Sequence, residues 1–152
     1  MISRPEFSRP VTVATLKPGG EAVTLTATEA ERQALARRLG VEGVREVEAE
    51  LRLAPRGKGL VAVRGRLRAT LDRLCVVSLE PIAERIDEPL SILFRPEDSG
   101  PGEVELDAEA EDEEPYEGGT IDLGEAVSQT LALVMDPWPR APGAEAPPHD
   151  AT

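Results

Sequence analysis

The chain has 152 residues, a formal net charge of −12 and one cysteine, a length that suits a single domain and a thiol count that excludes an intramolecular disulfide or a multi-cysteine metal site. Only 3% of the residues are aromatic, so the core has to be assembled from Leu, Val, Ile and Ala. The acidity is local: residues 97–117 hold 11 acids and no base, which leaves 18 acids against 17 bases elsewhere, a nearly neutral body that can still carry a local basic stripe toward nucleic acid.

Residues 7–16 and 22–27 alternate apolar with polar side chains around Pro18-Gly19-Gly20, the pattern of two strands joined by a turn. Thr28-Glu29-Ala30-Glu31 is a capping box, in which the threonine hydroxyl accepts from the Glu31 amide while the Glu31 carboxylate reaches back. It opens a helix over 28–39, closed by Gly40 after the basic last turn of Arg37 and Arg38.

A hairpin follows. Val47, Ala49, Leu51 and Leu53 alternate with Glu46, Glu48, Glu50 and Arg52; after Pro55-Arg56-Gly57-Lys58-Gly59, Val61, Val63, Leu67 and Ala69 alternate with Arg64, Arg66 and Arg68. A register in which paired residue numbers sum to 114 sets Glu50 against Arg64, Glu48 against Arg66 and Glu46 against Arg68 on one face. It also sets Leu51 against Val63 on the other, and a slip by one residue would put charge into the core.

Residues 74–81 read as a further, partly buried strand ending at Pro81, and 82–94 as another with a break at Pro89. Residues 97–117 have no apolar period and predict a solvated, disordered loop. Order is expected to return at Gly118, with Asp122 and Glu125 capping a helix whose apolar positions Val127, Leu131, Val134 and Met135 run toward Asp136, where Pro137 stops it. The Pro- and Ala-rich end, including 144–152, predicts a disordered tail.

Catalytic chemistry finds little support. The one histidine, His149, lies in the tail, away from any rigid frame that could hold an imidazole beside a nucleophile. Gly57-Lys58-Gly59 lacks phosphate-loop spacing, and the acidic run lacks the glycine and the terminal glutamate of a calcium loop. The stripe Arg64, Arg66 and Arg68 is a candidate for phosphate contacts, although the facing glutamates account for it as cross-strand pairing. Cys75 alone reads as a small buried hydrophobe.

Two segments carry more. Leu74-Cys75-Val76-Val77-Ser78-Leu79-Glu80-Pro81, then Ile121-Asp122-Leu123-Gly124-Glu125-Ala126-Val127 leading into Asp136-Pro137-Trp138-Pro139-Arg140, resemble the YceD family of large ribosomal RNA subunit accumulation proteins. The order of elements fits as well: N-terminal strands, hairpin, cysteine segment, acidic insert and a final helix ending in Asp-Pro-aromatic-Pro-basic. The resemblance implies a bacterial, non-enzymatic factor for 23S rRNA accumulation and large-subunit assembly, with large-subunit rRNA or a ribosomal protein as partner. No membrane, small-molecule substrate, cofactor or metal is expected. Many relatives carry Cys-x-x-Cys where this chain has Cys75 and Ser78, so two cysteine ligands for zinc are reduced to one.

The expected fold is therefore α+β: a mostly antiparallel sheet, flat or curved into a partial barrel, packed by two main helices in one domain over 1–143 that contains the acidic insert. With no signal-peptide run and no stretch near the ~18 apolar residues of a membrane span, a cytoplasmic location is expected. The candidate partner-binding residues are Asp122, Leu123, Asp136, Pro137, Trp138 and Arg140. The alternative is a small carboxylate-based or metal-handling enzyme.

Overall fold

A computed structural model describes residues 6–97 and 112–141. The strands are β1 Pro10–Thr12, β2 Glu21–Thr26, β3 Gly43–Gly57, β4 Leu60–Leu74, β5 Pro81–Pro96, β6 Asp112–Tyr116 and β7 Thr120–Asp122; the helices are α1 Glu29–Leu39 and α2 Leu123–Val134. Strands β2-β3-β4-β5-β6 form one sheet and β1-β7 a short ribbon. Every pairing is antiparallel except β5 with β6, and the large sheet stays open, so the α+β class holds without barrel closure.

Period-two alternation on the long strands gives the sheet one apolar face. Val47, Leu53, Val63, Leu67, Leu71 and Phe94 are among its buried residues, and Leu35 of α1 and Val127 and Leu131 of α2 belong to the same core. Each such side chain contributes about 1.5–3 kcal/mol of apolar burial before ordering entropy is subtracted. The opposite face carries Glu48, Glu50, Arg64, Arg66 and Arg68.

The β3–β4 pairing corrects the expected register by two. Glu48 faces Arg68, Glu50 faces Arg66, Leu53 faces Val63, and Arg52 faces Arg64. The facing of every side chain survives because the shift is even. Its cause lies at the turn, where Lys58 and Gly59 have φ of 56° and 81° and form a two-residue loop between Gly57 and Leu60, preceded by a bulge at Pro55/Gly57. Positive φ at both loop positions suits strand twist, and the bulge absorbs the remaining residue.

Four further expectations change. Residues 7–16 supply only the three-residue β1 before a 3-10 turn at Val13–Thr15, and β1 pairs with β7 rather than β2. Residues 75–80 are not strand: Leu74 pairs with Pro81, so they form the loop between β4 and β5. β5 runs through Pro89, tolerated because β6 pairs only with Ile92 to Pro96 and, among the described residues, no strand lies on the outer edge near Pro89. The acidic run is not loop throughout, since 112–116 is β6. Tyr116 packs against the core and its hydroxyl donates to the Gly59 carbonyl, while Arg95 pairs with Glu113, and these contacts outweigh the poor strand propensity of Asp, Glu and Pro. The rest of the expected insert, 98–111, and the expected tail lie outside the described residues.

The helix ends follow the local rules. Thr28 accepts from the Glu31 amide and the Glu31 carboxylate accepts from the Thr28 amide, completing the box; Gly40 closes α1 at φ 70°. Glu31 also takes both Nη atoms of Arg9, at 2.6 and 2.8 Å, and Arg38 of α1 bridges to Glu125 of α2 at 2.7 Å.

Candidate partner-binding site

The two family-like segments meet. β4 ends at Leu74, and the loop 75–80 is held by Cys75 N–H donating to the Glu80 carbonyl and Leu79 N–H donating to the Cys75 carbonyl, both at 2.8 Å. Leu79 adopts φ 62° to make this turn. On the other side, α2 ends at Val134 and the chain continues as a strap over 135–141. Glu84 of β5 accepts the Asp136 amide at 2.6 Å and pairs with Arg73. The Asp136 carboxylate accepts the Trp138 amide at 2.9 Å, and the Pro139 carbonyl accepts the Val76 amide at 2.8 Å.

This anchoring has a consequence for exposure. Pro139 is buried, whereas the Trp138 ring stays 68% exposed. The exposed large apolar side chains among the described residues are Leu74, Val76, Val77, Leu79, Leu133, Val134 and Trp138, with Leu79 at 70% and Leu133 at 82%. All seven fall in 74–79 or 133–138, the segments that the Val76–Pro139 bond joins. Scattered exposed hydrophobes need no account, but a concentrated set marks an interaction site.

Cys75 lies beneath this apron, fully buried. Its Sγ accepts the Ser78 amide at 3.4 Å. The Ser78 hydroxyl above all, then the amides of Ala141, Ser78 and Val77, pull the thiol down from 9.0 to about 7. Among the described residues no group of three or more His, Cys, Asp or Glu is placed to hold a metal.

The candidate residues separate into two sets. Asp122 caps α2, its Oδ1 accepting from the Glu125 amide at 3.2 Å and the Arg9 amide at 2.8 Å while Oδ2 accepts from the Ser8 hydroxyl at 2.6 Å. Leu123 is fully buried and Asp122 half-buried, and both lie at the end of α2 away from the strap. Asp136, Pro137, Trp138 and Arg140 are all exposed along the strap. Sequence reasoning missed Val76, Val77, Leu79 and Leu133. Leu133 does carry a signal, because it falls off the α2 stripe of Leu123, Val127 and Leu131.

Arg64, Arg66 and Arg68 lie on the outer sheet face, back along β4 from the apron. Arg66 pairs with Asp87, and Arg68 lies 3.3 Å from Glu50 and 3.9 Å from Asp87. The carboxylates largely cancel the local positive field.

The shifted carboxylates are held charged. Arg9 keeps Glu31 at about 2, and Arg38 pulls Glu125 below its usual range. A general acid working near neutrality needs the opposite shift. The fold is an open sheet with both helices packed on its apolar face, and the exposed apolar side chains lie on the segment after β4 and around the end of α2. The chain belongs to the YceD family: the family model described as "Large ribosomal RNA subunit accumulation protein YceD" matches residues 63–151, more than half of its length. No curated protein and no solved structure matches it. The matched span includes both apron segments, and the family description ties its members to large-subunit rRNA accumulation. No helix among the described residues is long and apolar enough to cross a membrane.

Proposed function

We propose that this protein is a non-enzymatic, cytoplasmic factor that supports 23S rRNA accumulation and large-subunit assembly by presenting the apron to a component of the large-subunit precursor, rRNA or ribosomal protein. The observation that carries the reading is the gathering of the exposed large apolar side chains on two hydrogen-bonded segments inside the family-matched span. Asp136 and Pro137 set the strap's path, and Trp138 and Arg140 are residue types enriched at binding hot spots. The outer-face arginines Arg64, Arg66 and Arg68 are secondary phosphate contacts at most in this reading, because Asp87 and Glu50 already engage Arg66 and Arg68.

The test is the ratio of 23S to 16S rRNA in the host bacterium. Trp138→Ala combined with Arg140→Ala is expected to lower it while the purified variant melts within a few degrees of wild type. An unchanged ratio in a complete deletion strain overturns the reading.

A further inference from the structure

We infer that the occupant of the apron is a basic protein segment that inserts an apolar anchor, and not RNA. This rests on the function proposed above and names the class of its partner.

The chemistry of the apron favours protein. Of its seven exposed apolar side chains only Trp138 is aromatic, and six are aliphatic. RNA is held by stacking of bases on aromatic faces and by cations that track the phosphates. An aliphatic surface supplies neither, whereas it matches the apolar side chains of a protein core or loop.

The charge of the surroundings points the same way. Glu80 and Asp136 are exposed at the apron, while Arg73 beside it is engaged by Glu84, with side chains only 11% and 15% exposed. Among the described residues of the two segments Arg140 is the one exposed base, and Arg66 and Arg68 of β4 are matched by Asp87 and Glu50. Against Arg140 stand two exposed acids, Glu80 and Asp136. This local surplus of acid disfavours a phosphate backbone and suits a Lys- and Arg-rich protein segment.

The experiment uses the full chain and three probes: individually purified large-subunit ribosomal proteins, protein-free 23S rRNA, and the chain itself. Binding is measured at physiological salt for wild type, for Leu79→Ser with Trp138→Ala, and for Leu79→Ser with Leu133→Ser as a second pair at exposed positions. At least one ribosomal protein is expected to bind wild type, and both variants at least about tenfold more weakly, as loss of anchoring side chains does. Variant-sensitive binding of protein-free 23S rRNA, apron-dependent self-association in sedimentation, or failure of every ribosomal protein to bind would each overturn the inference. The cellular 23S to 16S ratio of the same variants separates the two levels. A lowered ratio with RNA as the bound probe defeats only the partner class, and an unchanged ratio defeats the function itself.

Discussion

The Val76 amide donates to the Pro139 carbonyl at 2.8 Å, and this bond ties the loop after β4 to the strap after α2. It also closes the strap over Cys75, whose thiol is fully buried although its loop neighbours Val76 and Val77 are exposed.

That closure depends on the local turn in which the Asp136 carboxylate accepts the Trp138 amide at 2.9 Å. Asp136→Ala removes the acceptor and is expected to cost about 0.5–1.5 kcal/mol, the net worth of one hydrogen bond. The more specific signature is at the thiol beneath. Alkylation of Cys75 by iodoacetamide should become faster in the variant, and an unchanged rate would show that the strap is held without this turn.

Cys75 also makes a pH-dependent contribution. Hydrogen bonds, the Ser78 hydroxyl foremost, lower its folded value to about 7 from an ordinary 9.0. A depressed acid stabilises the fold fully above its unfolded value and loses that contribution as pH falls through the folded one. Urea denaturation should therefore show the stability difference between wild type and Cys75→Ala growing from pH 7 to pH 9. A difference that stays flat over this window would contradict the hydrogen-bonded thiolate.

Gly124 owes its place to space. A Cβ there would lie 2.4 Å from the Phe7 carbonyl oxygen and 2.9 Å from the Ser8 amide nitrogen, because α2 begins directly against the N-terminal segment. Gly124→Ala should cost about 1–3 kcal/mol or more through forced backbone movement, despite the better helix propensity of alanine. Thermal unfolding beside the exposed control Leu133→Ala distinguishes crowding from any general effect of substitution in α2.

Glu31 serves the α1 cap and Arg9 at once, and Arg9 in turn lies 4.8 Å over the Phe7 ring. Its carboxyl is held at about 2, with the Arg9 hydrogen bond as the largest cause. The stabilisation is complete above the ordinary value of 4.5 and is lost as pH falls toward 2. Glu31→Gln keeps the polar contact to Thr28 but removes the charge. The gap in stability between wild type and this variant should be constant above about pH 5 and shrink below it, which a urea series across pH 3 to 7 measures.

Short-range physics was legible in the residues. The capping box at Thr28 and Glu31, the Gly40 closure and the Asp122 cap each depend on atoms within a few positions of one another, and the structure contains all three. Alternation along β3 and β4 assigned each side chain its face, and with it the α+β class and the outward placement of Arg64, Arg66 and Arg68. Residues 74–81 and 136–140 stood out in the sequence through their resemblance to the YceD family. The tertiary structure decided what depends on distant partners. Period-two alternation is unchanged by an even shift, so only the positive-φ turn at Lys58-Gly59 and its adjacent bulge could choose between registers. β1 pairs with β7 across the length of the chain, and Asp112–Tyr116 becomes strand because Tyr116 and Arg95 find partners there. The apolar run at 74–79 carries a burial signal, yet most of it is exposed because β4 stops at Leu74 and only Cys75 turns inward. In such an unbroken apolar run exposure depends on where the strand ends and what covers it, which the run's own pattern does not encode.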